Sequence, residues 1–413
     1  MILTLISFLI SEFAVASSPV TISFEEVTAR VSSQNYVVLE NAQKVYQAKE
    51  SISVARGNLL PRLNLWRWIE PVVQPTSLIT SLIGGIEDIA PFLVPSNWFR
   101  LSEEKVLYQA QKEAYRSLWA NEVMTAKSLF VHALIDESLY QHLTRSEQEL
   151  NKILQIVKTR EVLGGARPGA SQEIEVRLLA IQEDKRSLEV IIREDKTALA
   201  FMMGLPGNTE LNLRAISMPN FRDLSPIEYE VFEFRALDVS PEIKQFGHLV
   251  HAADYVRRER TFAFLGMSNI ARGLSGNVFD ELPAQQGLGF GTGASIRITR
   301  AQKEILKLQK KGVEETIRRN LKLLVENYNL DLLSYASMKR RVDLTRSLLD
   351  RQYERLGLGD SVEPLELVEA SRSAIQAQIA FFAVQYRFLT TEDRLSRLIF
   401  HGEYAHMPEP RFQ

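Results

Sequence analysis

The chain of 413 residues contains no cysteine. That excludes disulfides, thiolate metal sites and a lipidated N-terminal cysteine, and is compatible with an oxidising compartment without requiring one. A charge excess is missing too, since 49 lysines and arginines stand against 51 aspartates and glutamates. Without a basic field to hold phosphates, no nucleic-acid partner is expected. After the N-terminus there is no uninterrupted apolar run of the ~20 residues that a spanning helix needs. The nearest stretch, Leu78 to Val94, carries Glu87 and Asp88 and ends among prolines. Any crossing of a bilayer would have to use strands closed into a barrel.

Signatures of covalent chemistry are also lacking. No G-x-x-x-x-G-K-[ST] or G-x-S-x-G pattern occurs, which removes the P-loop and the nucleophile elbow. Gly289, Gly291 and Ala294 fit G-x-G-x-x-A. No buried strand precedes them, however, and strand-like alternation follows where a dinucleotide site needs a helix. His248 and His251 stand at metal-ligand spacing on an expected helix, with Asp254 extending the row; a solvated helix face accounts for the same pattern. No enzyme activity, cofactor or metal is expected.

What the chain does have is repetition. Residues 17–206 and 225–402 read as two copies of one helix–strand–helix unit, joined by a connector at 207–224 and followed by a loose tail at 403–413. Residues 1–16 read as a signal peptide: Ile2 to Ile10 is apolar and Ala14-Val15-Ala16 is an A-x-A cleavage pattern, although no Lys or Arg precedes Arg30. A buried N-terminal strand or helix is the alternative. In the first copy, Ser23 and Glu26 have capping-box spacing, and a second helix is expected from Val38 to Leu59. In the second copy, Ser225-Pro226 and Ser240-Pro241-Glu242 each read as a cap followed by proline at the first helical position.

Each copy then passes through a strand-like segment. From Leu288 to Ile298, Leu288, Phe290, Thr292, Ala294, Ile296 and Ile298 alternate with glycine, serine and arginine. That period of two suits either a transmembrane barrel wall or the edge of a soluble sheet. Leu63 to Trp68 alternates as well. Trp66, Trp68, Trp98 and Phe99 are read either as an interfacial aromatic girdle or as core aromatics.

Long helical arms follow, roughly Arg100 to Arg160 and Arg300 to Leu356, each about 60 residues without proline and on the order of 90 Å long. Heptad spacing joins Leu321, Tyr328, Tyr335, Val342 and Leu349, and likewise Leu143, Leu150 and Val157. The last arm carries one stripe through Val368, Ile375, Phe382 and Leu389 and another through Ala370, Ala374, Ala377 and Ala380. Two stripes call for two neighbours, as in a closed ring of coiled-coil pairs or a solid bundle. The arms turn at Pro168-Gly169-Ala170-Ser171 and at Leu358-Gly359-Asp360-Ser361, glycine supplying the dihedrals and serine a cap.

These pieces together resemble the outer-membrane efflux protein family, the TolC-like exit ducts of drug-efflux and type I secretion systems. The resemblance rests on Ala55-Arg56 with Leu59 to Leu63, on Gly169-Ala170-Ser171 with Glu175-Val176, on Leu199 to Pro206, and on Tyr353, Gly359, Ser361 and Glu366 to Ala370. It implies a mainly α fold with a small β part. Long antiparallel coiled-coil helices would form a trimeric α-barrel tunnel, and each protomer would give four strands to a shared 12-stranded transmembrane β-barrel. It further implies a homotrimer in outer-membrane lipid with a large periplasmic portion, working with a periplasmic adaptor (membrane fusion) protein and an inner-membrane pump. Pro168, Gly169, Ala170, Leu358, Gly359 and Asp360 would be the adaptor-contact tips.

Glu366 and Glu369 fall where the family often has aspartates near its gate. In a three-fold lumen each would become a ring of three carboxylates that favours cations; outward-facing solvated glutamates are the alternative. The chain departs from the family pattern at Phe264-Leu265-Gly266, at Ile298 to Ala301, and in the apolar Leu78 to Val94 insertion. The second functional reading is a periplasmic coiled-coil scaffold or adaptor that does not span the membrane.

Overall fold

The computed structural model describes residues 19–60, 91–165, 167–263, 279, 291–357, 364–407 and 409. The signal-peptide segment, the Leu63 to Trp68 alternation and the second turn at 358–361 lie outside them. A short strand β1 (Val20–Ile22) leads into α1 (Phe24–Gln34), α2 (Tyr36–Gly57), α3 (Pro95–Val162) and α4 (Ala170–Met202). A second strand, β2 (Leu211–Leu213), leads into α5 (Tyr229–Val239), α6 (Pro241–Phe262), α7 (Thr292–Gly357) and α8 (Pro364–Leu398). Helix lengths run 11, 22, 68 and 33 residues after β1 and 11, 22, 66 and 35 after β2. The chain divides into two units, and α3 and α7 give residues to both.

The first unit takes in residues up to Tyr36, Asn121–Tyr229 and Lys322–Arg397. Toward the ends of the arms, Leu150, Ile153, Leu154 and Val157 of α3 occur at the 0, 3, 4, 7 spacing that gives a helix one apolar face. That face meets Ile174 and Leu178 of α4, Leu349 of α7, and Leu367 and Val368 of α8, so four helices share one core. Farther along, Phe221 from the connector stacks on Tyr335 with ring centroids 3.9 Å apart and leans on Phe388 at 4.8 Å. β1 and β2 pair in parallel, Val20 opposite Leu211 and Ile22 opposite Leu213. The connector thus contains a strand that its sequence does not announce, because its partner is nearly two hundred positions away.

Two polar fastenings fix this unit's joints. The Asn329 side-chain carbonyl accepts from Ile227 N–H, and its amide donates to Ile227 O, both at 2.9 Å. This clamp holds residues 225–228 out of a helix. The expected start at Ser225-Pro226 is therefore displaced to Tyr229, a tertiary contact overriding a local signal. Asn35 donates to Met202 O at 2.9 Å, tying the end of α1 to the end of α4. Beside it Gly204, at φ 66°, caps α4 in the left-handed conformation. A Cβ there would lie 2.3 Å from Gln34 O.

The second unit takes in Val37–Ala120, Glu230–Leu321 and the residues after Leu398. Leu107, Ala252, Ala253, Val256, Phe279 and Leu306 form one core, the alanines letting α6 approach its neighbours closely. Ser240 caps α6 as expected, its hydroxyl accepting from Ile243 N–H at 3.2 Å with Pro241 at the first turn. A buried cation lies near the start of α3: Arg100 bridges Glu103 at 2.8 Å and Glu104 at 2.7 Å.

Residues 292–298, expected as the end of a strand, are instead the first turns of α7, whose Ser295 N–H bonds Gly291 O at 2.9 Å. Burial recurs at Ser295, Thr299 and Leu306, a helical spacing, while Ile298 is exposed. The small hydroxyl at Ser295 accepts from buried Arg260 at 3.3 Å, and serving that cation outweighs the strand preference of Ile296 and Ile298. Much of the apparent alternation rested on glycines, which carry no facing information. Residues 264–278 and 280–290 lie outside the description.

The tail is not loose through His406. Gly402–Ala405 forms a 3₁₀ turn, and Tyr404 is buried edge-on against Trp119 with centroids 6.3 Å apart. Arg116 covers the Phe400 ring at 4.5 Å. Trp98 and Phe99 lie in the first turns of α3. The Trp98 indole donates to Phe92 O at 2.9 Å, and Phe99 stacks on Phe262 at 5.5 Å.

Gly204→Ala should cost about 2 kcal/mol or more, because it adds a side chain at positive φ and forces it into backbone. Gly207→Ala, with open space around it, should stay within about 0.5 kcal/mol. Thermal unfolding of the purified variants, followed by circular dichroism, measures the difference; equal midpoints would refute the close contact.

Candidate functional site: the hairpin end of the arms

At the described turn, α3 ends at Val162, and Gly164 at φ 74° lets the Gly165 N–H reach Arg160 O at 2.8 Å. The chain re-enters a helix through Gly169, at φ 88°, which is the N-cap of α4. Ser171 is therefore not the cap; it lies one residue inside α4. The capping acceptor is Glu161, the second-last residue of α3. Its carboxylate takes the Ser171 hydroxyl and the backbone N–H groups of Gly169, Ala170 and Ser171. Negative charge at a helix N-terminus is favoured by both the free N–H groups and the helix dipole. These bonds, the Ser171 hydroxyl foremost, hold the Glu161 carboxyl below its ordinary range. Nothing in the local spacing marks Glu161 as the cap, because it precedes the helix it caps by eight residues and a turn.

The expected contact residues at this turn separate. Pro168 is exposed, Gly169 is half-covered, and Ala170 turns its methyl into the four-helix core. Beside them Val162 and Leu163 are 87% and 78% exposed, an apolar pair at the very end of the hairpin. The matching residues of the other turn, Leu358, Gly359 and Asp360, lie outside the described residues.

Glu366 and Glu369 come together on one face of α8, both exposed, in the first turns after Pro364. Glu369 lies 3.9 Å from Arg372, an exposed pair of little energetic weight. Both carboxylates line an open groove that α8 forms with Thr345, Leu348, Gln352 and Arg355 of α7. This leaves two carboxylates three residues apart on a single helix, open to water, with Arg372 beside Glu369.

The histidine row resolves differently. Lys303 donates to both Asp254 oxygens at 2.7 Å, so the carboxylate that would complete a ligand set is engaged by a cation. Burial lowers the affinity of His248 for a proton, with His251 adding to the effect and Glu113 opposing it. Of the G-x-G-x-x-A positions, Ala294 is helical, contrary to the expected strand, and Gly289 lies outside the described residues. Among the described residues the sheet is a pair of three-residue strands, remote in sequence from that motif. No described helix is long and apolar enough to cross a membrane.

No protein-family model and no curated protein sequence matches the chain. Solved structures do. The Campylobacter jejuni CmeC outer membrane channel superposes with a TM-score of 0.71 at 11% identity, over 91% of this chain and 85% of that one. The outer-membrane channel OprN gives 0.70 at 11% identity, over 92% and 90%. The open state of the Neisseria gonorrhoeae MtrE outer membrane channel gives 0.67 at 11% identity, over 94% and 90%. The chain therefore has the fold shared by these channels, along nearly its whole length.

If Glu161 is the latch of this turn, Glu161→Gln should speed amide exchange at Gly169, Ala170 and Ser171 at neutral pH. Because the folded carboxyl titrates below its unfolded value, its stabilisation is complete above the ordinary carboxylate range. It is lost as pH falls through the depressed folded value. Wild type and variant should thus converge in acid. Hydrogen exchange read by mass spectrometry on the 160–172 peptide checks both, and identical neutral-pH rates would remove Glu161 from that role.

Proposed function

We propose that the chain is a member of the outer-membrane efflux protein family and acts as an exit duct. It would be a homotrimer that passively conducts small molecules or polypeptides delivered by a periplasmic adaptor and an inner-membrane pump. The observation that carries this reading is the shared fold with three channels over more than nine-tenths of the chain. A second observation supports the oligomer. On α7, Tyr328 is 8% exposed while Leu330 is 55% exposed, and two residues turn a helix by about 200°. Leu323, Leu330, Leu333, Leu344 and Leu348 continue this outward stripe, opposite the face buried within the chain. The matching helix lengths after β1 and β2 support an internal two-fold repeat, which a trimer would turn into a pseudo-six-fold wall.

In this reading the first turn meets the adaptor through Pro168 and Gly169, and the second through Leu358, Gly359 and Asp360. Glu366 and Glu369, in the first turns of α8 after that second turn, would form the carboxylate rings of a constriction. The work done is selection by size and charge, with no bond made or broken.

A periplasmic scaffold that never enters the bilayer is the second reading. It is favoured by the helical conformation of residues 292–298, where wall strand was expected. Cysteines introduced at Leu288 and Phe290, on the apolar face of the expected strand, discriminate the two, since lipid-phase labelling is expected for a duct and aqueous labelling for a scaffold.

The double variant Glu366→Gln, Glu369→Gln should weaken cation preference in planar bilayers while leaving the number of copies per particle unchanged. Reversal potentials in asymmetric salt measure it. Unaltered selectivity would place both side chains outside the constriction, and absence of any conductance from the wild-type protein would overturn the duct.

A further inference from the structure

We propose that the first unit carries a binding site for single-chain amphiphilic anions, an acidic head on an apolar tail, in a cavity of ≈ 460 Å³ between α3, α4 and α8. This goes beyond conduction and does not depend on it. The cavity lies next to the four-helix core and shares Leu150 and Val368 with it. Its volume falls within the ~300–1,000 Å³ of small-molecule pockets.

The walls have two characters. Leu143, Ile181, Ile375 and Ile379 offer apolar surface from three helices. Among them sits Arg177, whose Nη1 is buried and has no hydrogen-bond partner. A guanidinium N–H can only donate, and leaving a buried one unmet is costly, so the position calls for an acceptor. Arg372, exposed and paired with Glu369, reaches the rim of the same space, and Asp184 also lines it.

The serines sharpen the choice. Ser371, 1% exposed, already donates to Glu149 at 2.9 Å. Ser146, 6% exposed, also lines the cavity. An occupant that fits must accept from Arg177 and Ser146 at one end and cover isoleucine and leucine at the other. A carboxylate or sulfonate on a short alkyl chain does both; a metal cation or a purely apolar molecule does not.

The test uses the full chain in a nonionic detergent and a decanoate bearing a photoactivatable diazirine, with adducts mapped by mass spectrometry. Adducts should concentrate on segments 143–150, 177–184 and 371–379 and be competed by unlabelled decanoate. Arg177→Met should reduce them about tenfold or more, the weight of a charge-assisted hydrogen bond, and Arg177→Lys should retain part. Ile375→Trp should abolish them by filling the space, and circular dichroism melts show whether each variant remains folded.

Equal labelling by the uncharged decanol analogue would overturn the anion specificity, a comparison that needs no variant. Labelling undiminished in both Arg177→Met and Ile375→Trp, or absent from the wild-type protein, would overturn the site. Full competition by phosphatidylglycerol would replace the single-chain ligand with a membrane lipid. None of these outcomes bears on conductance, so the duct and the binding site fail separately.

Discussion

The constraint on which the structure turns is apolar surface on opposite sides of one helix. α7 packs Tyr328 and Leu349 into its own chain and presents Leu330, Leu333 and Leu344 outward. Each large aliphatic side chain left in water forgoes about 1.5–3 kcal/mol of burial. An extended stripe of them marks a surface that expects a partner. The long helices are thus only half satisfied by folding within one chain, and in the proposed duct association would satisfy the rest. A wall built in this way would enclose space, which is the property the proposed duct needs.

Within the first unit, helices are joined by close contacts that have little local redundancy. Asn329 clamps Ile227, Asn35 holds Met202, and Gly204 passes against Gln34 with no room for a side chain. Glu161 does the same at the hairpin by reaching back across the turn to the start of α4. These contacts set the direction in which each helix leaves its joint, so small changes there would be carried along the arms. The apolar cores fix that the helices associate, and the joints fix how.

What the sequence made legible followed from periodicity. The heptad stripe is buried at Leu321, Tyr328 and Leu349 and half-buried at Tyr335 and Val342, and the proline-free arms are single helices. Caps with purely local chemistry were legible too: Ser240 with Pro241, and Ser23, whose backbone N–H bonds Glu26 at 3.2 Å. What was not legible depended on partners distant in sequence. β2 exists because β1 lies beside it, the helix expected at Ser225 is suppressed by Asn329, and residues 292–298 are helical around Arg260. At the candidate site, the glycine turn could be read from Gly169, whereas the role of Glu161 and the cavity around Arg177 arise only when separate helices meet.

In the proposed duct, copies of this chain complete one another's helices around a shared axis. Native mass spectrometry of the detergent-extracted protein tests it most directly, by counting chains per particle after the micelle is stripped. Particles of three chains are predicted, persisting on dilution. A single chain, stable in water after the detergent is removed, would rule out that assembly.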